Sequence, residues 1–292
     1  MTGVQTKKTK SYSAQTKTAN IIIHVILFIL SIVWVLPILW LIVTSLRGES
    51  TGYVSYIFPK QWSFDNYIKL FTMETEEFKY LKWFGNTLLV AVLSCIISTI
   101  FVLMVSYVLS RMRFKSRKKF LNLGLILGMF PGFMSMAATY AIVNMIGLQQ
   151  NLMGLVLVYS AGSALGYQIS KGFFDTIPRS LDEAAKIDGA SRARIFFKII
   201  LPLSKPIIVY TALTTFISPW TDYIFVSYFM KSNVDNYTIA YGLKSIIMPE
   251  TVTDYFTIFC AGSVLIAIPI TILFIFMQKY YVEGVTGGAV KG

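Results

Sequence analysis

The chain has 292 residues, 55% of them hydrophobic and only 14% charged, whereas soluble domains run near roughly a quarter charged. That much apolar surface exceeds what one soluble core can hide, so an ordinary water-soluble fold is excluded. A formal charge of +12 is compatible with a nucleic-acid partner or with the basic loops of a membrane protein, and the placement of the charges decides between them.

Cysteine and histidine narrow the chemistry. Cys95 and Cys260 lie inside apolar runs with no CxxC spacing, where cysteine behaves as a small hydrophobe. They suggest neither a zinc site nor a disulfide framework. His24 is the only histidine, which excludes a histidine-based metal or catalytic triad site.

Residues 1–17 form a basic N-terminal segment, and 18–46 hold no Asp, Glu, Lys or Arg. About 20 apolar residues cross a bilayer core, so 18–46 reads as a first transmembrane helix. It is too long for the apolar region of a cleaved signal and lacks a small-x-small cleavage site, so it is expected to stay as an anchor. Pro37 is expected to kink it. Residues 47–82 follow as an outward loop without a legible motif, and the uncharged stretch 83–110 gives the second span.

Residues 120–170 are uncharged for 51 residues and must contain two spans. The one turn-like break, Gly147-Leu-Gln-Gln-Asn151, divides them into helices near 120–146 and 152–170. Residues 206–230, with Asp222 as their only charge, and 255–278 complete an all-α, polytopic membrane protein of six transmembrane helices.

Placed alternately on two sides, segments 1–17, 111–119, 171–205 and the tail from Lys279 carry 19 of the 26 Lys and Arg residues. By the positive-inside rule these are cytoplasmic, which predicts a multi-pass cell-membrane protein with both termini inside. Loop 111–119, RMRFKSRKK, has six positive charges and no acid. It reads as a topology signal, with lipid headgroup binding as the second reading. No basic face is left over for nucleic acid.

Segment 171–205 is the longest inner loop and has a pattern of its own. Its centre runs Ile177-Pro-Arg-Ser-Leu-Asp-Glu-Ala-Ala-Lys-Ile-Asp-Gly-Ala190 and its end Ile199-Ile-Leu-Pro202. Ser180 with Glu183 fits a capping box that starts a short helix, and Gly189 suits the left-handed residue that ends one. Ser191 can cap a second short helix with Ile195, Phe196 and Ile199 on one face. The expectation is a compact helical hairpin with a small-residue knob, Ala184, Ala185, Gly189 and Ala190, shaped to dock into another protein.

Those residues also carry a resemblance. Glu183-Ala-Ala, three residues, Gly189, nine residues, Ile199, one residue, Leu201-Pro202 resembles the EAA loop of binding-protein-dependent (type I) ABC importer permeases at every defined position. Trp83-Phe-Gly-Asn-Thr87 resembles the segment that opens their shared transmembrane domain. Pro131, Tyr140 and Gly147-Leu148 are similar to its third-helix pattern. Trp220-Thr-Asp222 resembles the Trp-Asn-Asp of the carbohydrate branch, with Thr221 departing from the usual Asn. The ending, 284–292, is similar to the tail of the maltose-type second permease subunit.

The resemblance covers about residues 82–292. It implies an ABC importer transmembrane domain at 83–279 with its coupling loop at 178–202, and a cytoplasmic tail at 280–292. It also implies partners: a second permease subunit forming a heterodimer, two ATPase subunits carrying ATP and magnesium, and an extracytoplasmic sugar-binding protein. The chain has no GxxxxGK[ST] phosphate loop of its own, so no cofactor and no catalytic residue is expected here. The docking residues implied are Glu183, Ala184, Ala185, Asp188, Gly189, Ala190, Leu201 and Pro202. In the tail, Gly287, Gly288, Lys291 and Gly292 are implied to reach between the ATPase subunits, and their glycines argue against a packed helix.

Two residues keep two readings each. Glu183 closes the capping box, pairs with a basic residue of the ATPase, or does both. Asp222, costly inside a membrane, faces the solute path together with Trp220 and Tyr223, or holds the permease pair together. The expected solute is a carbohydrate, an oligosaccharide, with malto-oligosaccharides first. A permease of the same fold for an amino acid or phosphate is the alternative. A membrane-embedded enzyme is the remote one, opposed by the lack of any intramembrane acid–base pair.

Overall fold

In the computed structural model, the described residues are 12–49, 56–130, 132–161 and 164–289. They are helical throughout apart from loops, and the only β pairing among them is an isolated bridge between Arg47 and Trp62. In chain order the helices are α1 (Tyr12–Ser45), α2 (Asp65–Thr72), α3 (Tyr80–Arg111), α4 (Arg117–Met129), α5 (Gly132–Met145), α6 (Leu152–Ser160) and α7 (Ala164–Thr176). They continue as α8 (Ser180–Ile187), α9 (Arg192–Ile195), α10 (Leu201–Leu203), α11 (Lys205–Thr221), α12 (Ile224–Met230), α13 (Ile239–Ser245) and α14 (Val252–Ala289).

Four stretches, Ala19–Ser45, Tyr80–Arg111, Leu152–Thr176 and Val252–Tyr280, are long and apolar enough to cross a membrane; two bent helix pairs raise the number to six. The first bent pair, α4 with α5, corresponds to expected span three; the second, Arg192–Leu203 with Lys205–Thr221, takes in the end of the inner loop and only the first part of expected span five, 206–230, whose remainder is α12. Span three turns by 109° between α4 and α5. Phe130, which precedes Pro131, is extended at φ −74° and ψ 130°, as steric conflict with a following proline ring demands. A straight helix over 120–146 is thus corrected to two. Pro131 itself lies outside the described residues.

Helix α1 starts at Tyr12, before the expected boundary at 18, and stays helical through Pro37. Its apolar flank is almost wholly exposed, and it leans on α14 through Trp40 and Phe256, whose rings are 6.0 Å apart. Helix α14 likewise overruns its prediction. It continues to Ala289 through Gly284, Gly287 and Gly288, where a non-helical tail was expected. Glycine costs a helix up to about 1 kcal/mol relative to alanine, which a helix of 38 residues propagating from a buried span absorbs.

Helix α3 is the centre of the bundle. Thr87, Ala91, Ser94, Ser98, Ser106 and Ser110 are all buried along one flank. Lipid tails are as apolar as leucine, so helices in a bilayer associate through close packing and hydrogen bonds rather than hydrophobic expulsion. This stripe supplies both. Ser106 Oγ donates to the Tyr167 carbonyl at 3.0 Å, Ser110 Oγ to Asp175 at 2.6 Å and Cys95 Sγ to the Ala212 carbonyl at 3.4 Å. α3 is thereby bound to α7 and α11, its most extensive neighbours.

The described parts of 47–82, residues 47–49 and 56–82, are bonded to each other and to the bundle. Arg47 is buried, donates to the carbonyls of Tyr56 and Ile57 at 3.2 and 3.1 Å, and stacks over the Tyr56 ring. Asn66, on α2, donates to the carbonyls of Ser45 and Arg47 and accepts from Thr257 of α14, which ties α2 to the first and last spans. The Glu49 carboxylate takes hydrogen bonds from the backbone of Lys60 and Gln61 and from Tyr56. Desolvation opposes ionisation, but these donors outweigh it and hold the carboxyl at about 2.

Candidate functional site

The patterned inner loop folds into the expected hairpin. Helix α8 ends at Asp188, Gly189 follows at φ +76°, and Ser191 caps α9 by accepting from the Arg194 N–H at 3.3 Å. A left-handed backbone of this kind strains any side chain, so glycine stands there for conformation alone: a Cβ would meet nothing within 4 Å. After α9 the chain makes a π-type turn over Phe196–Ile200, passes through α10 and bends by 81° into α11 at Lys205.

The capping box does not form. Arg179, not Ser180, occupies the N-cap and makes no side-chain cap; the Glu183 N–H bonds the Arg179 carbonyl at 3.1 Å. Pro178 opens the turn earlier than the Ser180 reading assumed, which draws Ser180 into the first helical turn. The Glu183 side chain is exposed and has no hydrogen bond or ion pair among the described residues, so of its two readings the capping one falls away.

What seats α8 is a pair the sequence reading missed. Asp182 and Ala185 face the bundle, and Asp182 pairs with Arg111 of α3 at 3.2 Å, the two side chains being 10% and 6% exposed. Arg111 also donates to the Ile177 carbonyl at 2.8 Å, and Arg179 reaches back to the Ser110 carbonyl at 3.4 Å. Removing one partner of a buried ion pair costs about 3–5 kcal/mol, because the other charge stays desolvated. Beside this pair Tyr107 stacks on Phe196 at 4.7 Å and on Phe174 at 6.2 Å. Hairpin and span are joined here by an ion pair, backbone hydrogen bonds and ring contacts.

The opposite face of α8 is bare. Leu181, Glu183, Ala184 and Asp188 are exposed, and Ile187, at 88%, protrudes from the tip next to Gly189. Ala185 and Ala190, expected on the knob, are buried and half-buried; Leu201 is half-buried and Pro202 exposed at the far end of the hairpin. Ile187 was not singled out in the sequence because apolar residues elsewhere in this chain are so common. A cleft of about 340 Å³ separates α8 and α9 from the end of α3, with Arg113, Lys186 and Arg192 on its walls.

The second candidate region lies apart from the hairpin, where span five breaks. Asp222 separates α11 from α12 with an extended backbone. Its Oδ1 accepts from the Phe225 N–H at 3.0 Å, capping α12, and its Oδ2 accepts from the Tyr159 hydroxyl of α6 at 2.9 Å. Trp220 is fully buried against Phe84, with rings 5.2 Å apart, and Phe216; Tyr223 is 44% exposed. Of the tail residues, Gly287 and Gly288 lie in α14, while Lys291 and Gly292 lie outside the described residues.

The Trp83–Thr87 segment proves to be a clamp on the chain between α12 and α13. Trp83 Nε1 donates to the Val234 carbonyl at 2.9 Å, and Asn86 Nδ2 to the carbonyls of Asp235 and Tyr237 at 2.8 and 3.0 Å. Thr87 Oγ1 accepts from the Ile239 N–H at 2.7 Å. Gly242 lets α13 lie flat on the indole, since a Cβ there would come within 2.2 Å of Trp83. Lys79 and Lys82 both bond Asp235, at 2.8 and 2.6 Å, and these two donors hold its carboxyl at about 2.

Known proteins resemble this chain in sequence and in fold. The family model described as binding-protein-dependent transport system inner membrane component matches residues 103–287. The galactooligosaccharides transport system permease protein GanQ of Bacillus subtilis is 36% identical over 92% of this chain and 94% of its own length. The maltodextrin transport system permease protein MdxG of the same organism is 36% identical over 92% and 95%. One chain of a bacterial ABC transporter involved in the import of the acidic polysaccharide alginate shares the fold, with a TM-score of 0.75 at 23% identity over 94% of this chain and 100% of that one. With a family model over most of its length and relatives above the 30% level across nearly all of it, this chain belongs to the inner membrane components of binding-protein-dependent transport systems, and is a membrane transport subunit rather than an enzyme.

Proposed function

We propose that this chain is one permease half of an ATP-driven oligosaccharide importer, with its hairpin 178–202 on the cytoplasmic side as the piece that docks into a partner ATPase. The observation that carries the coupling role is the two-sided build of α8: Asp182 locked to Arg111 on one face, Ile187 bare on the other. An apolar side chain protruding at a tip, rimmed by Glu183, Lys186 and Asp188, has the form of an interface anchor. A push on that anchor passes through the Arg111–Asp182 pair and the Tyr107–Phe196 stack into α3, and α3 is bonded to α7 and α11.

ATP and magnesium belong to the partner subunits in this reading. A second permease subunit supplies the other half of the path, and an extracytoplasmic binding protein delivers the solute. Oligosaccharide as the solute class is supported by the relatives' galactooligosaccharide and maltodextrin systems. Both termini are placed inside by the distribution of 19 of 26 basic residues. Tyr223, exposed at the break of span five beside Asp222, is the member of the Trp220–Tyr223 group best placed to meet solute, and the C-terminal end of α14 is placed against the ATPases.

The test is Gly189→Asp. Left-handed strain costs on the order of 1 kcal/mol, and no atom of the chain itself stands within 4 Å of the new Cβ. The subunit should therefore accumulate in the membrane, while the ATPases no longer co-purify and uptake of labelled malto-oligosaccharide stops. Stoichiometric ATPase on the variant, with normal uptake, overturns the docking assignment. Wild-type uptake of an amino acid or phosphate but of no oligosaccharide overturns the solute class alone.

A further inference from the structure

A groove of about 670 Å³ opens between α3, α4 and α7, at the end of the bundle that carries the basic loop. Phe101, Val105 and Val108 of α3 form one wall, Leu123 and Leu127 of α4 another, and Phe114 and Phe120 close the end, their rings 6.3 Å apart. Its two polar lining residues are already engaged. The Gln168 amide donates to the Leu121 carbonyl at 3.3 Å and the Tyr167 hydroxyl to the Ala161 carbonyl at 2.9 Å. A sugar would find no unsatisfied partner there, whereas hydrocarbon needs none.

The rim has the opposite character. Lys115, Lys118 and Lys119 are exposed and make no hydrogen bond or ion pair among the described residues, and no acid occurs in 111–119. Arg117 alone of the inner part of the loop is tied down, to the Leu109 and Ser110 carbonyls. The loop sits where α3 leaves its apolar stretch at Arg111 and α4 begins at Arg117, the level at which a bilayer changes from acyl chains to headgroups. Three unpaired lysines, Lys115, Lys118 and Lys119, beside a dry alkyl-sized groove match one ligand class on both counts.

We infer that this groove is a binding site for a single anionic phospholipid, one acyl chain lying along α3 between Phe101 and Phe114 and the phosphate held by Lys115, Lys118 and Lys119. The lipid would wedge α4 against α3 and so set the geometry of the bent third span. The inference does not depend on which solute the transporter carries.

Native mass spectrometry of the purified complex, delipidated and then offered phosphatidylglycerol and phosphatidylcholine in equal amounts, provides the test. Wild type should retain one phosphatidylglycerol in preference to phosphatidylcholine. A basic residue near the membrane surface contributes about 1 kcal/mol, so each of Lys115→Gln, Lys118→Gln and Lys119→Gln should lower that preference by about fivefold. Gly124→Leu should abolish retention of both lipids by filling the groove, where a Cβ meets only the Gln168 amide at 3.9 Å. Inorganic phosphate and glycerol phosphate should not displace the lipid. Displacement by either would show a free-anion site, and equal retention by wild type and all four variants would remove the site. Loss of the second permease subunit from Gly124→Leu would make the groove a subunit interface, which also overturns the inference.

Discussion

The two ends of this molecule spend their polar groups differently. At one end several polar groups are matched across long stretches of chain: Trp83, Asn86 and Thr87 hold the 234–239 segment, Arg47 and Asn66 hold the segment after α1, and Lys79 with Lys82 hold Asp235. At the other end Arg111 and Asp182 bond the root of the hairpin and Arg117 is tied to the Leu109 and Ser110 carbonyls, while Ile187, Glu183, Lys115, Lys118 and Lys119 face outward unmatched. The bare face of the hairpin and the cations beside the groove are the features on which the proposed protein and lipid contacts rest.

Substitutions in the Trp83 clamp should therefore act on stability, and those on the bare face of the hairpin on coupling. The largest stability effect belongs to Trp83→Ala. The ring is fully buried, packs on Gly242 and holds the Val234 carbonyl, so its loss should cost about 3–5 kcal/mol. Thermal unfolding of the detergent-solubilised subunit should show a marked drop in Tm. An unchanged Tm would mean that the Trp83 clamp is not what holds α3 to α13.

Ile187→Asp is the converse experiment. The side chain is bare, so stability should change by no more than about 0.5 kcal/mol. ATPase affinity should fall by thirtyfold or so, corresponding to an anchor worth about 2 kcal/mol. Titration of purified ATPase onto membranes containing the variant measures this. A variant that unfolds, or that binds ATPase normally, would erase the contrast between the two faces.

The smallest effect is one of pH, and it sharpens the clamp's half of the comparison. The folded pKa of Asp235 lies near 2, below its ordinary 3.8, so the clamp's ionic contribution is complete above about 4. It is lost as pH falls from there toward 2 and the folded form takes up a proton. Wild type and Asp235→Asn should differ in Tm at neutral pH and converge near pH 2. Because Asp235 is half exposed, the difference should shrink with salt, and a salt-independent difference would point to packing instead.

Some of this was legible beforehand for identifiable reasons. Span number follows from charge-free runs, because an unpaired charge in hydrocarbon is prohibitive and leaves a mark at every boundary. The hairpin followed from Gly189 and Ser191, whose roles are local to a few backbone atoms. The Ser94, Ser98, Ser106 and Ser110 stripe was present at helical spacing and could have been read as the packed face of span two. Pro131 could have been read as the break in span three. The Arg111–Asp182 and Tyr159–Asp222 pairs could not, since partners 71 and 63 residues apart have no mark that picks one arginine or tyrosine from many.

By itself, the sequence determined the membrane solvent, the approximate number of spans and the local hairpin at Gly189 and Ser191, all of which depend on composition within a window or on local backbone geometry. Only the tertiary structure decided that Glu183 is free rather than capping, that Asp222 caps a broken helix, and that the motif beginning at Trp83 is a clamp on the chain between α12 and α13. It also decided that the end of α1 is bonded to α2. Each of these depends on which distant backbone carbonyl or side chain comes within about 3 Å, the reach of a hydrogen bond. That proximity is set by how the helices pack, and no window along the chain contains it.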